Sequence, residues 1–143
     1  MQKLYYVDTS IWLNLFKKEG DPTKGVPYWK IADDFFKKAK ISSDTKICIS
    51  TIVLKELSYK LKIEFFLIHN RLKRKAVIFK VLNEDYLFAR DIEKKHTYTL
   101  SFADCLHIAI AKRNDCVLVT RDRELLEIGN IYVLSKKPED LIS

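Results

Sequence analysis

The chain has 143 residues and a mass of 16.8 kDa, long enough to bury a sizeable core, and at 48% hydrophobic and 31% charged it is too apolar for disorder. Lys and Arg number 26 against 19 Asp and Glu, a net charge of +7 that tilts the expected partner toward a polyanion without specifying any chemistry. With only 3 Gly, neither G-x-G-x-x-G nor a P-loop can be written, and 3 Cys without C-x-x-C spacing beside the scattered His69, His96 and His107 argue against disulfides and zinc.

In chain order, short apolar runs alternate with helical stretches. Lys3–Val7 reads as a buried strand and Ile11–Lys18 as a helix. After a loop from Gly20 to Pro27, Tyr28–Lys40 carries Trp29, Ala32, Phe36 and Ala39 at helical spacing. Lys46–Ile49 is the second strand, and Ser50 or Thr51 caps a helix reaching Lys62. Ile63–Lys73 continues as a helix, Ala76–Leu82 reads as a strand and Glu84–His96 as a helix. Ser101 opens a strongly apolar helix to about Arg113. Cys116–Val119 is a strand, Asp122–Ile128 a short helix, and Ile131–Leu134 a last strand. Strands apolar on both faces that alternate with helices predict an α/β fold with a central parallel sheet. The longest apolar stretch, Ile47–Leu54, is too short to span a bilayer, and no signal-peptide h-region precedes Asp8. The expectation is one cytoplasmic domain over 1–143 with no membrane contact.

Four acids fall at matching places in that pattern. Asp8 follows the first strand, Glu56 lies early in the helix after the second, Asp104 is in the first turn of the helix opened by Ser101, and Asp122 follows the strand ending at Val119. Strand C-termini and the N-termini of following helices share one edge of a parallel sheet, so the four carboxylates are expected to converge. Clustered carboxylates repel unless protonated or bridged by a cation, and oxygen-only ligands select Mg²⁺ or Mn²⁺. Taken singly, each acid has an ordinary explanation. Asp8 and Asp122 suit helix N-termini, Asp104 suits a capping box with Ser101, and Glu56 suits a solvated flank of the Val53–Leu57–Leu61 stripe. Those explanations do not predict that all four share one edge.

The segments Tyr-Tyr-Val-Asp-Thr-Ser-Ile-Trp-Leu (5–13), Ser-Thr-Ile-Val-Leu-Lys-Glu-Leu (50–57), Ser-Phe-Ala-Asp-Cys-Leu-His-Ile-Ala-Ile-Ala (101–111) and Leu-Val-Thr-Arg-Asp-Arg-Glu-Leu (118–125) cover nearly the whole chain in order. Together they resemble the PIN-domain ribonucleases, particularly the small VapC-like toxins. The resemblance implies a three-layer α/β/α sandwich with a central parallel sheet. It also implies a metal-dependent endoribonuclease in which Asp8, Glu56, Asp104 and Asp122 hold Mg²⁺ or Mn²⁺ at the scissile phosphate. Ser10 and Thr120 match hydroxyl positions that support the first and fourth acids. Leu125 stands where the family more often has Phe, which bears on packing and not on chemistry. RNA as substrate, an antitoxin protein as partner and a homodimer follow from the same resemblance.

Around the quartet, Arg121 and Arg123 are candidate contacts to substrate phosphate, with solvated surface charge the competing reading. His107, one turn after Asp104, reads as a hydrogen-bonded histidine in a buried helix that also lies within reach of the cleft. Arg71, Lys73, Arg74 and Lys75, with Lys60 and Lys62, form the densest basic patch, either an RNA-steering surface or an ordinary charged face. Tyr5, Tyr6 and Trp12 read as core or interface aromatics. The alternative function is a non-catalytic PIN-like module that binds RNA or forms complexes. A haloacid-dehalogenase-type phosphatase needs a second Asp where Ser10 stands, and a flap-type DNA nuclease expects a larger chain with more acids.

Overall fold

The computed structural model describes residues 2–142. Five strands form one parallel sheet in the order β3-β2-β1-β4-β5, where β1 is Lys3–Val7, β2 Thr45–Ser50, β3 Val77–Phe79, β4 Val117–Val119 and β5 Ser135–Lys136. Helices cover both faces in a three-layer α/β/α arrangement: α1 (Thr9–Phe16), α2 (Tyr28–Ile41), α3 (Thr51–Leu61), α4 (Phe65–Leu72), α5 (Asn83–Lys95), α6 (Phe102–Arg113) and α7 (Arg123–Tyr132). Apolar residues on both sides of each central strand dictate this outcome. Tyr6, Val7, Cys48, Ile49, Leu118 and Val119 are all buried, so neither face is left to water.

The order of the strands decides where a site can form. From β1 the chain crosses to β2 on one side and later returns to β4 on the other, so strand order reverses between β1 and β4. Tyr6 pairs with Cys48 and with Leu118, which brings the carboxyl ends of the three central strands level. The Asp8 N–H then donates to the Val119 carbonyl at 3.0 Å, just past the ends of both strands. A crevice outside the strand C-termini at such a reversal is the usual binding position of an open parallel sheet.

Local chemistry fixes the helix starts on that edge. Asp8, Ser50, Ser101 and Asp122 are N-caps of α1, α3, α6 and α7, each accepting a backbone N–H with its side chain. α6 is buried continuously from Cys105 to Ala111, and His107 is the one polar residue of that run. α5 packs along α6, joined by a bidentate ion pair between Arg113 and Asp85 at 2.8 and 2.9 Å.

The structure corrects several expected boundaries. α1 begins at Thr9 because Asp8 supplies the cap two residues earlier than the apolar pattern suggests. Lys62 adopts the left-handed conformation at φ 56°, which ends α3 and delays α4 to Phe65. The strand expected over Ala76–Leu82 pairs only at Val77–Phe79. The largest difference is near the C-terminus, where Ile131–Leu134 is not a strand. α7 runs through Gly129 to Tyr132 and pairing begins at Ser135. Gly129 is there for close approach, not as a helix stop: a Cβ on it would lie 2.7 Å from Ser135 Oγ and 3.3 Å from Leu118 Cδ2.

Candidate active site

Asp8 is only 4% exposed, and its two carboxylate oxygens are held from different elements. Oδ1 accepts from the Ser10 N–H at 3.0 Å and the Ser10 hydroxyl at 2.6 Å, while Oδ2 accepts from the Thr120 hydroxyl at 2.6 Å. Burial raises the Asp8 carboxyl above its ordinary range, and the Ser10 and Thr120 hydrogen bonds offset part of that rise. Thr120 Oγ1 also accepts from the Asp122 N–H at 3.1 Å, so one hydroxyl joins the first acid to the backbone of the fourth. Asp122 Oδ1 in turn accepts from the Leu125 N–H at 3.1 Å and caps α7.

Asp104 is placed by the first turn of α6, its N–H donating to the Ser101 cap at 3.1 Å. Burial pushes its carboxyl up to about 6; His107 works against that, and the nearby charges of Asp122 and Asp8 add to it. Glu56, a turn and a half into α3, accepts from Thr9 Oγ1 and from His107 Nε2, both at 2.8 Å. Burial alone would raise the Glu56 carboxyl, but the partnership with His107, the Thr9 hydroxyl and the Lys60 charge outweigh it and leave it below its usual range. For His107, burial pulls the imidazole down, and Glu56 with the charges of Asp8 and Asp104 more than restores it. Behind His107, Nδ1 lies 2.7 Å from the Tyr6 hydroxyl, itself 2.6 Å from Ser50 Oγ.

Asp8, Glu56, Asp104 and Asp122 line one cleft of about 270 Å³, together with Thr9, Ser10, Leu13, Lys60, Ser101 and His107. A depression of about 320 Å³ lies at the opposite edge of the sheet, lined by residues including Lys3, Tyr5, Asp44, Thr45 and Asp140. Its acids, Asp44 and Asp140, are both exposed and fewer than the four of the other cleft, so the cleft at the strand C-termini is the site with chemistry.

The PIN-domain family model matches residues 5–131, all but the ends of the chain. The protein belongs to the PIN-domain family. Solved structures share the architecture of this PIN domain at low identity. VapBC from Salmonella typhimurium, solved bound to DNA, superposes with a TM-score of 0.68 at 14% identity over 96% of this chain and 99% of that one. VapBC2 from Rickettsia felis, bound to a promoter fragment, gives 0.65 at 18% identity over 94% and 98%. A toxin–antitoxin complex from Klebsiella pneumoniae gives 0.62 at 18% over 96% and 98%. A search of curated protein sequences found no match.

The four acids of the cleft offer oxygen, which suits a hard divalent cation, while His107 Nε2 is engaged with Glu56, and the raised Asp104 carboxyl is a group such a cation would relieve. Among the described residues, however, no three His, Cys, Asp or Glu side chains are gathered closely enough to hold an ion between them. The set therefore fits an ion that keeps several waters and takes one or two carboxylates directly, the habit of Mg²⁺.

Neither candidate arginine lines the cleft itself. Arg121 makes a bidentate ion pair with Glu139 at 2.9 and 3.0 Å, and its guanidinium lies 4.0 Å over the Tyr28 ring. It pins the C-terminal turn (Pro138–Leu141) and does not line the cleft. Arg123 is exposed on α7 beside Glu127. Arg71 and Lys73–Lys75 also lie outside the cleft lining, and the cation that does line it is Lys60. Sequence reasoning passed over Thr9 and gave Tyr6 and Ser50 no part in the site. A tyrosine inside a buried strand needs a partner for its hydroxyl, and that need was the signal available for the Tyr6–His107 contact.

Proposed function

We propose that this PIN domain is a metal-dependent endoribonuclease, the toxin of a toxin–antitoxin pair, acting in the cytoplasm as one catalytic domain over 1–143. The observation that carries the reading is the convergence of Asp8, Glu56, Asp104 and Asp122 on one cleft at the strand-order reversal, inside a chain of net charge +7. Asp8, Asp104 and Asp122 would hold Mg²⁺ or Mn²⁺, one or two of them directly and the rest through its waters, with Glu56 ligating it or orienting the attacking water. Bound there, such an ion offsets charge on the phosphodiester and acidifies a coordinated water. Ser10 and Thr120 keep Asp8 in place by donating to both of its oxygens. Lys60, four residues after Glu56 at the cleft, is the cation placed to meet a phosphate oxygen. Single-stranded RNA is the substrate of this reading, and a second copy of the chain completes a homodimer. The similar structures solved as toxin–antitoxin complexes support an antitoxin as the protein partner.

One observation favours the alternative, a non-catalytic module that binds RNA or assembles with a partner: among the described residues no three acids are drawn tightly together. Incubation of the purified protein with a mixed RNA pool separates the two. The nuclease reading requires cleavage that depends on Mn²⁺ or Mg²⁺, stops with EDTA and is lost in folded Asp104→Asn. RNA binding without turnover in any divalent ion supports the alternative.

A further inference from the structure

Glu56 reaches the cleft through an asymmetric set of hydrogen bonds. Thr9 Oγ1 and His107 Nε2 both bond to the same oxygen, Oε1, at 2.8 Å each, which fills its two lone-pair positions. Among the described residues no buried side-chain oxygen lacks a partner, and Oε2 accepts no hydrogen bond, so Oε2 is the Glu56 oxygen open to solvent in the cleft.

What holds His107 is equally specific. The ring is 1% exposed within the buried run of α6, and its Nδ1 is fixed by the Tyr6 hydroxyl of β1 at 2.7 Å. Tyr6 is held at 2.6 Å by Ser50 Oγ, which accepts the Ile52 N–H at 3.2 Å as the cap of α3. The helix that carries Glu56 is thus tied at its start to the tyrosine that fixes the histidine holding Glu56. A carboxylate only accepts, so Nε2 carries the proton and donates to Oε1 in both the neutral and the charged ring.

We propose that His107 is a positioning residue for Glu56: its Nε2–H and the Thr9 hydroxyl together lock Oε1, so that Oε2 is presented to the water that attacks the phosphodiester. The proposal rests on the nuclease reading of the cleft. A histidine that only satisfies the core would affect stability and leave turnover per folded molecule unchanged. A histidine that aims Glu56 governs kcat.

The test compares His107→Gln with His107→Asn. The glutamine amide nitrogen falls near the position of Nε2, whereas the asparagine amide falls near Nδ1 and leaves Oε1 with one donor. With RNA and Mn²⁺, H107N is expected to lower kcat about 10–100-fold with KM changed less than about threefold, and H107Q to recover a large part of that loss. In the metal-free parent, the His107 Nε2–H resonance in proton–nitrogen correlation spectra is expected to exchange slowly with solvent and to shift in Glu56→Gln. Folded H107N that turns over at the parent rate, H107Q no better than H107N, or a resonance unmoved by E56Q overturns the proposal. Where H107N does not fold, the resonance in the parent and in E56Q decides alone. If the parent cleaves no RNA, the nuclease reading fails, and the spectra still report separately whether His107 holds Glu56.

Discussion

Asp104 sits in the first turn of α6 with its carboxyl pushed up to about 6 by burial, a rise that His107 opposes and the charges of Asp122 and Asp8 reinforce. Its folded pKa therefore lies above the unfolded value of 3.8, so the folded state binds the proton more tightly. That preference contributes stability in full below pH about 4 and is lost as pH rises through about 6, leaving the metal-free protein weaker at neutral pH by up to about 3 kcal/mol. Asp104→Asn, which cannot ionise, is expected to raise the melting temperature in EDTA at pH 7.5 and to change it little at pH 4. Identical pH profiles for parent and variant would contradict the electrostatic picture. Mn²⁺ is expected to raise the melting temperature of the parent at neutral pH and to raise that of D104N less.

Lys60 gives a second residue-scale prediction. Lys60→Ala removes the cation lining the cleft without touching the hydrogen bonds of Asp8 or Glu56. KM for RNA is expected to rise roughly fivefold with kcat within about twofold, and the dependence of binding on log salt to flatten by about one unit. An unchanged salt slope would place phosphate contact elsewhere. That the four acids share one sheet edge was legible in the sequence, because Asp8 and Asp122 follow strands, Asp104 lies in the first turn of its helix and the Glu56 side chain points back toward the start of α3. The partners that set their charge were less so. Thr9 and His107 meet at Glu56 from elements far apart in the chain, with Tyr6 behind His107, and no local pattern encodes that meeting. Nor could the sequence show that Arg121, next to Asp122, pairs with Glu139 and lies over the Tyr28 ring.

Among the helices, α5 and α6 are coupled by the pair most open to test. The Asp85 side chain is 2% exposed and depends on Arg113 for its charge partner, with the Leu82 N–H at 2.8 Å as its remaining donor. Arg113→Ala leaves that carboxylate buried without its cation and is expected to destabilise the fold by about 3 kcal/mol, read by denaturant unfolding. The site lies at the other end of α6, so turnover per folded molecule should hold within about twofold. Gly129→Ala drives a Cβ toward Ser135 Oγ and is expected to cost about 1–3 kcal/mol by loosening α7 from β5. The element pattern was readable wherever apolar periodicity or a cap was strong, as at β1, α2, α3 and α6. It differed at α7, where the apolar run Ile131–Leu134 reads as a strand but the helix continues through Gly129, packed close to Ser135, to Tyr132.

Across the whole molecule, the net charge of +7 sits on a chain that gathers four of its acids at one cleft. The rest of the surface is accordingly more basic than the total, the arrangement suited to drawing in a polyanion and acting on it at an acidic centre. No helix among the described residues is long and apolar enough to cross a membrane. The most direct test of the central claim is cleavage of a mixed RNA pool by the parent and by folded Asp104→Asn, with Mn²⁺ and with EDTA. The account predicts discrete cut sites for the parent with Mn²⁺ that vanish both with EDTA and in D104N. Equal cleavage by D104N, or cleavage indifferent to EDTA, would contradict it.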